Sequence, residues 1–164
     1  EAIQKLDEIP GIGRQSAETI LAETGLDMNR FPTAKHFSSW AGLAPGNNES
    51  AGKRRYGRTT KGNITLKTTL IQCAKAAVKK TDSFLSAQYQ RLIVRRGANR
   101  ATVAVAHTML ISIYHMLKNN VPFTDLGADY YNQFNTQSKI QHYLKKLKRL
   151  GWELDSATIP TAAV

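Results

Sequence analysis

The apolar residues of this chain recur every three to four positions along almost its whole length, which is the period of an α-helix rather than a β-strand. The longest such segment runs from about Asn99 to Lys118, and we predict that it forms the central core helix. Its apolar positions are Val103, Ala106, Met109, Leu110, Ile113 and Leu117. The pattern therefore predicts an all-α, multi-helix domain, and 164 residues are enough to bury a genuine core.

Capping and turn residues predict the bounds of the remaining helices. Thr33 is a plausible N-cap for a short helix with Phe37 and Trp40 facing inward. Ile64 belongs to the apolar set that we expect the fourth helix to bury. The other predicted helices span residues 1–9, 14–24, 33–42, 63–79, 82–96 and 136–150. We expect one domain over residues 1–150 and a disordered tail over residues 151–164.

Charge composition indicates the class of partner. Lys and Arg together number 23 against 12 Asp and Glu, which gives a formal net charge of +11. Such an excess favours a polyanion, and nucleic acid is the default candidate. No apolar run approaches the roughly 20 residues that a membrane-spanning helix needs, so we expect no membrane partner. No signal peptide is visible, which favours a cytoplasmic protein.

Cysteine and histidine usage argues against several kinds of site. Cys73 is the only cysteine, which excludes an internal disulfide and a Cys-rich zinc site, and its apolar surroundings favour the core. The four histidines, His36, His107, His115 and His142, show no metal-ligand spacing with one another. Core or subunit-contact roles are the favoured interpretation of these imidazoles.

The segment from Trp40 to Asn63 is too rich in Gly and Asn for a helix or a regular strand, and it is strongly basic. Ser50 stands just ahead of the basic residues Lys53, Arg54, Arg55, Arg58 and Lys61. Guanidinium groups match phosphate oxygens in a bidentate way, so this loop suits an encounter with phosphodiesters. A solvated basic loop without a ligand is an equal alternative on these residues alone.

The segment from Leu6 to Leu21 resembles the helix-hairpin-helix motif of DNA-binding proteins. Gly11 and Gly13 flank Ile12 between two predicted helices, so the backbone can turn tightly while Ile12 fills the gap. Backbone N–H groups of the turn and of the helix that begins at Arg14 would then offer a site for a backbone phosphate. An ordinary helical corner, in which the glycines only permit the turn, is the alternative.

A second basic patch is predicted around Gly97. Arg95, Arg96 and Arg100 bracket this glycine at the junction of two helices. They form either another surface for phosphates or an ordinary solvated helix end, and the sequence favours neither interpretation.

Six short motifs occur in one order along the chain. They are Ile9–Gly13, Ile20–Gly25, Phe31–Ala34, Trp40–Pro45, Ser50–Lys53 and Thr60–Asn63. Together they resemble the C-terminal transposase domain of the DEDD insertion-sequence transposases, the insertion-sequence one-ten family. The resemblance covers roughly residues 3–120. This chain has Ser-Ala-Gly where the family pattern has Ser-Gly-Gly or Ser-Gly.

The resemblance implies a function. Proteins of this family mobilise DNA by site-specific recombination, with specificity supplied by a guide RNA encoded in the element. Their C-terminal domain supplies a serine that attacks DNA, and this serine maps to Ser50. Their acidic, Mg²⁺-binding residues lie in an N-terminal RuvC-like domain. We expect that domain to be missing from this chain, which begins without an initiator Met and is interpreted as a fragment of a longer protein.

Several expectations follow from this resemblance. The isolated fragment should hold no cofactor of its own and be catalytically inert. The full-length protein is expected to be bacterial or archaeal and to form a homo-oligomer. Basic residues of the loop are expected to neutralise the charge on the phosphate. Two other functions stay open: a non-catalytic helix-hairpin-helix module that binds DNA or RNA backbone, and an RNA-binding chaperone domain.

Overall fold

The computed structural model describes residues 1–45, 49–50, 53–54, 59, 61–133 and 136–151. Two compact units are present, Glu1–Ala128 and Asp129–Val164. The first unit contains α1 (Ala2–Asp7), α2 (Arg14–Thr24), α3 (Ala34–Trp40), β1 (Glu49–Ser50), β2 (Lys53–Arg54), α4 (Ile64–Ala77), α5 (Phe84–Arg96) and α6 (Ala98–Asn119). The second unit contains α7 (Tyr130–Gln133) and α8 (Thr136–Arg149). The prediction of an all-α fold is confirmed.

Helix α6 is the centre of the first unit, as its apolar period predicts. It packs against α1, α3, α4 and α5. Its side chains at Val105, Ala106, Met109, Leu110 and Ile113 are all fully buried. Burial of this apolar stripe, rather than helix propensity alone, is what stabilises a helix of this length in water.

Side-chain caps fix where three helices begin. The side chains of Thr33, Asn63 and Ser83 each accept a hydrogen bond from the backbone N–H three residues later. Each bond satisfies one of the orphan donors at a helix N-terminus and contributes about 1 kcal/mol. The Thr33 cap is therefore confirmed. The 3₁₀ turn Met28–Arg30 and the four-residue α7 were not predicted, because both are too short to show a period.

Two predicted core residues are solvent-exposed. Trp40 is 39% exposed at the end of α3, although its ring packs on Phe31 and Phe37. Ile64 is 80% exposed because it is the first residue of α4, directly after the Asn63 cap and outside the stripe formed by Leu66 and Leu70. Ile64 is therefore not part of the buried stripe of α4, and Trp40 is only partly buried.

The basic segment includes one short element that composition did not predict. Strands β1 and β2 contain two residues each and pair in an antiparallel ladder. A ladder of two residue pairs depends on its backbone hydrogen bonds, and the β-propensity of its side chains matters little. Gly and Asn nearby therefore do not prevent it. The predicted tail lies outside the described residues from position 152 onward.

None of the helices in the described ranges combines the length and the apolar character that crossing a bilayer requires.

Candidate nucleic-acid interface

The serine loop (residues 43–62) is held at its base by a close backbone approach. A Cβ built on Gly62 would lie 2.2 Å from the backbone nitrogen of Gly42 and 2.5 Å from the carbonyl oxygen of Trp40. The N–H of Asn63 donates to that same Trp40 oxygen at 3.2 Å. Only glycine fits at position 62, because any side chain would overlap backbone atoms that cannot move aside.

Asn63 connects this base to α2. Its side-chain oxygen caps α4 by accepting from the N–H of Leu66 at 2.9 Å. Its side-chain nitrogen donates to Glu23 Oε2 at 2.6 Å. The Asn63 side chain thus accepts one hydrogen bond and donates another. Through Glu23, Trp40 and Asn63, three of the six sequence motifs are in contact here.

Strand pairing gives Ser50 a defined neighbour along the backbone. In the β1/β2 ladder Ser50 is the register partner of Lys53, and Glu49 is the partner of Arg54. The structure therefore brings the backbone of the candidate nucleophile next to that of the first two basic residues that follow it.

The remaining basic candidates are distributed differently. Arg55 and Arg58 lie outside the described residues. Lys61 is exposed just before α4, at the base of the serine loop. Arg100 is exposed on the first turn of α6 and lines a groove together with Thr59 of the loop.

The two glycines of the candidate hairpin have different environments. Gly11 has a φ of +84°, and a Cβ there would lie 2.3 Å from the carbonyl oxygen of Cys73 on α4, so this turn is packed against the core. Ile12 is only 3% exposed and belongs to the buried core cluster.

Gly13 lies on the open side of the same turn. It is the N-cap of α2, no atom lies within 4 Å of a Cβ built on it, and no side chain caps the helix. The neighbouring Arg14 is exposed and pairs with Glu18 at 3.0 Å. The open end of the hairpin is thus the N-terminus of α2, whose N–H groups suit an anion.

A groove of about 450 Å³ adjoins the serine loop. Its described lining residues are Leu43, Pro45, Thr59, Gln88, Asn99, Arg100, Val103, Ala104, His107 and Thr108. Burial lowers the pKa of His107 below its ordinary value, because the charged imidazolium loses hydration. Sequence reasoning missed Gln88 and Thr108, since a lone amide or hydroxyl on an amphipathic helix carries no distinctive pattern.

Cys73 lies in the core, as predicted, and is 3% exposed. Burial raises the pKa of its thiol, and a hydrogen bond with Ser16 opposes that shift only in part. A thiol in this state is a poor nucleophile. Across the described ranges, no three His, Cys, Asp or Glu side chains cluster in a way that would hold a metal ion.

Comparison with known protein families identifies a match for this chain. The model of the Transposase IS116/IS110/IS902 family matches residues 3–90. This range includes the hairpin turn, the whole serine loop, α4 and the first half of α5.

Curated relatives are similar to this chain over 110 and 122 residues. The chain is 39% identical over 110 residues to a "Probable family 20 transposase" of Pseudomonas aeruginosa, covering 64% of this chain and 32% of the relative. It is 35% identical over 122 residues to the "Transposase for insertion sequence element IS1111A" of Coxiella burnetii, covering 71% and 33% respectively. The chain thus spans about a third of the length of these relatives.

Proposed function

Because this chain belongs to the Transposase IS116/IS110/IS902 family, we propose that it is the DNA-binding, serine-bearing part of an insertion-sequence transposase. The observation that carries the proposal is the family match over residues 3–90, which contains the complete serine loop. A net charge of +11 supports DNA as the partner, because the phosphate backbone dominates the affinity of such complexes.

The proposed reaction is a transesterification at Ser50. The Ser50 hydroxyl loses its proton to a base and its oxygen attacks the phosphorus of a phosphodiester. The bond from phosphorus to the leaving oxygen breaks, and that oxygen takes up a proton. The DNA end is then held as a phosphoserine ester, which conserves the bond energy for attack by the hydroxyl of another strand.

Basic residues of the loop would stabilise the charge on the attacked phosphate. Lys53 supports this role as the register partner of Ser50, and Arg54 follows it in the same strand. Lys61 supplies an exposed cation at the loop base. Arg55 and Arg58 belong to the proposal on sequence grounds alone.

The described residues do not fit a Mg²⁺ site, since they offer no acidic cluster. A RuvC-like domain elsewhere in the polypeptide, with the Mg²⁺ that it binds, and a guide RNA remain part of the proposal, as does a homo-oligomer. This chain alone should then be inert.

The helix-hairpin-helix would bind the DNA backbone at a phosphate other than the one that reacts. The uncapped N-terminus of α2 at Gly13 and the exposed Arg14 support a phosphate contact there. Gly11 supports it indirectly, because its packing against α4 fixes the turn. Such a contact positions the duplex without reading its sequence.

The test is to trap a covalent adduct. The polypeptide that contains this chain at the length of its relatives is incubated with its RNA, Mg²⁺ and a nicked DNA substrate. Protease digestion and mass spectrometry then map any DNA-linked peptide. We expect an adduct on Ser50 that disappears in Ser50→Ala and persists in Thr68→Ala, which removes an exposed hydroxyl from α4.

Affinity measurements separate the proposal from the non-catalytic alternative. If Ser50 is the nucleophile, Ser50→Ala abolishes strand transfer and leaves DNA affinity within about twofold. Cleavage without an adduct in either protein would mean that water or a DNA hydroxyl attacks, and that this chain only clamps nucleic acid.

A further inference from the structure

Positive and negative side chains are unevenly distributed along this chain. Residues 1–49, which include the hairpin turn, contain four Lys or Arg and seven Asp or Glu. Residues 50–124 contain fourteen Lys or Arg and a single carboxylate, Asp82. A solvated helical surface usually mixes both signs, whereas a surface of one sign attracts a partner of the opposite charge. The positive charge is therefore concentrated in the serine loop and in the helices that follow it.

Helices α5 and α6 form a pair that reverses direction at a basic corner. Gly97 alone connects the two helices, and Gln88 Nε2 donates to Thr108 Oγ1 at 2.9 Å across them. These two residues lie nine positions before and eleven positions after Gly97, so the helices run back alongside each other. Arg95 and Arg100 therefore lie at the same end of the pair, two positions before and three positions after Gly97.

The arginines of α5 follow the side of the helix that faces the groove. Gln88 lines the groove, and a residue seven positions further along points in almost the same direction, because seven residues make about two turns. Arg95 has this spacing from Gln88, and Arg91 lies one turn before Arg95 on the same stripe. Arg100 lines the groove from the first turn of α6. We call Arg91, Arg95 and Arg100 the arginine corner.

The arginine corner is open to solvent. Arg91, Arg95 and Arg100 are all exposed. Apart from its neighbours in the chain, no atom of the described residues lies within 4 Å of a Cβ built on Gly97, so the turn itself is uncovered. Residues 83–124, which contain both helices, include no Asp or Glu. Phosphate oxygens are the complementary ligands, because guanidinium groups donate to them in a bidentate way.

The groove connects the arginine corner to the serine loop. Pro45 and Thr59, near opposite ends of the loop, line the same groove as Arg100. Lys67 Nζ of α4 donates to the Thr59 hydroxyl at 2.7 Å, which holds this end of the loop at the helical core. Because a duplex presented to the loop continues for many base pairs on both sides, one of its flanks can extend to the corner.

We propose that the arginine corner binds the phosphate backbone of duplex DNA on one side of the attacked phosphodiester. The inference rests on the proposed function, because it needs DNA at the serine loop. It goes beyond that function by assigning a second contact surface, separate from the helix-hairpin-helix and just beyond the family match over residues 3–90. Contacts to phosphates carry no sequence information, so the corner positions the DNA without selecting its sequence.

The test measures how DNA affinity depends on salt and on the length of the flanks. The polypeptide that contains this chain at the length of its relatives is loaded with its RNA, and it carries Ser50→Ala so that the DNA stays intact. This reference protein is titrated with a labelled duplex that has flanks of about 20 base pairs, or two helical turns, on both sides of the reacting phosphate. Two further duplexes have one flank or the other shortened to about 3 base pairs, or roughly 10 Å.

The central variant is Arg95→Gln in the reference protein. On the duplex with two long flanks, we expect it to lower the magnitude of the slope of log affinity against log salt by about 0.9, the effect of one phosphate contact. Arg95→Lys keeps the cation and should keep the slope. Shortening one of the two flanks should abolish the difference between the reference protein and Arg95→Gln, because that duplex ends before the corner.

Arg30→Gln is the matched control, because it removes an exposed guanidinium near the other end of α6. The carbonyl oxygen of the adjacent Phe31 accepts from Tyr114 Oη at 3.0 Å. Tyr114 lies fourteen positions, or about 21 Å, along α6 from Arg100. The net charge changes equally in both variants, so a difference between them reports the place of the contact.

Three results overturn the inference. Equal slopes for Arg95→Gln and Arg30→Gln on the duplex with long flanks would reject the contact. A loss in Arg95→Gln that is the same on all three duplexes would reject a flank as the ligand. Weaker binding of the guide RNA with unchanged DNA affinity would make the corner an RNA surface. Absence of DNA binding by the reference protein would instead count against the proposed function as well.

Discussion

Asn63 Nδ2 lies 2.6 Å from Glu23 Oε2 and joins the start of α4 to the end of α2. The same side chain caps α4 through its oxygen. Since Gly62 precedes it directly, the bond fixes the point at which the serine loop returns to the helical core.

Replacement of Asn63 should destabilise the first compact unit. Asn63→Ala removes an N-cap and leaves the partly buried Glu23 carboxylate without its donor. We expect the free energy of unfolding to fall by about 2 kcal/mol, measured by urea denaturation.

Asn63→Asp distinguishes the two bonds. An aspartate keeps the capping oxygen but places a second carboxylate against Glu23. We expect this variant to be destabilised and Glu23→Gln to rescue it, because the new glutamine amide restores a donor. Equal instability of the single and double variants would show that the contact with Glu23 contributes little.

The close approach of Gly62 to Gly42 predicts a large effect of one methyl group. Gly62→Ala would place its Cβ 2.2 Å from the Gly42 nitrogen, so the loop base must shift. We expect a loss of about 1–3 kcal/mol in the free energy of unfolding. Gly13→Ala is the control, since nothing lies within 4 Å of the added atom and φ is −97°. Matching losses in both variants would contradict the packing argument.

Burial of His107 predicts a pH-dependent stability. Its pKa is lowered from 6.5, so just below that pH the unfolded chain binds a proton that the folded chain does not. The free energy of unfolding should therefore decrease as the pH falls from about 6.5, and level off below the folded pKa.

His107→Gln should flatten this part of the pH profile. Thermal denaturation between about pH 7.5 and 5 measures the slope in both proteins. His142→Gln serves as the control for loss of an exposed imidazole on α8. An unchanged slope in His107→Gln would assign the pH dependence to other groups.

Lys61 should contribute one phosphate contact. If it does, Lys61→Ala lowers the magnitude of the slope of log affinity against log salt by about 0.9 for duplex DNA. Lys79→Ala controls for the change in net charge, because Lys79 is exposed just beyond the opposite end of α4. Identical slopes for both variants would mean that only net charge matters.

The helical fold was predictable because the apolar residues of the sequence recur with the period of an α-helix. The period of α6 and the cap at Thr33 appear directly in the sequence. Local capping chemistry and the helical repeat both act over a few residues, so no tertiary information is needed to read them.

Contacts between distant segments were not predictable in the same way. Nothing in the sequence pairs Asn63 with Glu23, places Gly62 against Gly42, or leaves the oxygen of Gln88 without a partner. Each depends on how helices pack, which a single sequence does not encode locally. The roles of Ser50 and of the basic residues remain predictions that the experiments above address.

Because Pro45 lines the groove, the length of the loop limits how far Ser50 can lie from that groove. Ser50 follows Pro45 by five positions, and five extended residues span at most about 18 Å. Whatever path the intervening chain takes, the Ser50 backbone stays within that reach of the groove. Inserting residues between Pro45 and Ser50 would lengthen this connection and leave the contacts of the core unchanged. The effective concentration of the Ser50 hydroxyl near a nucleic-acid strand bound at the groove would then fall.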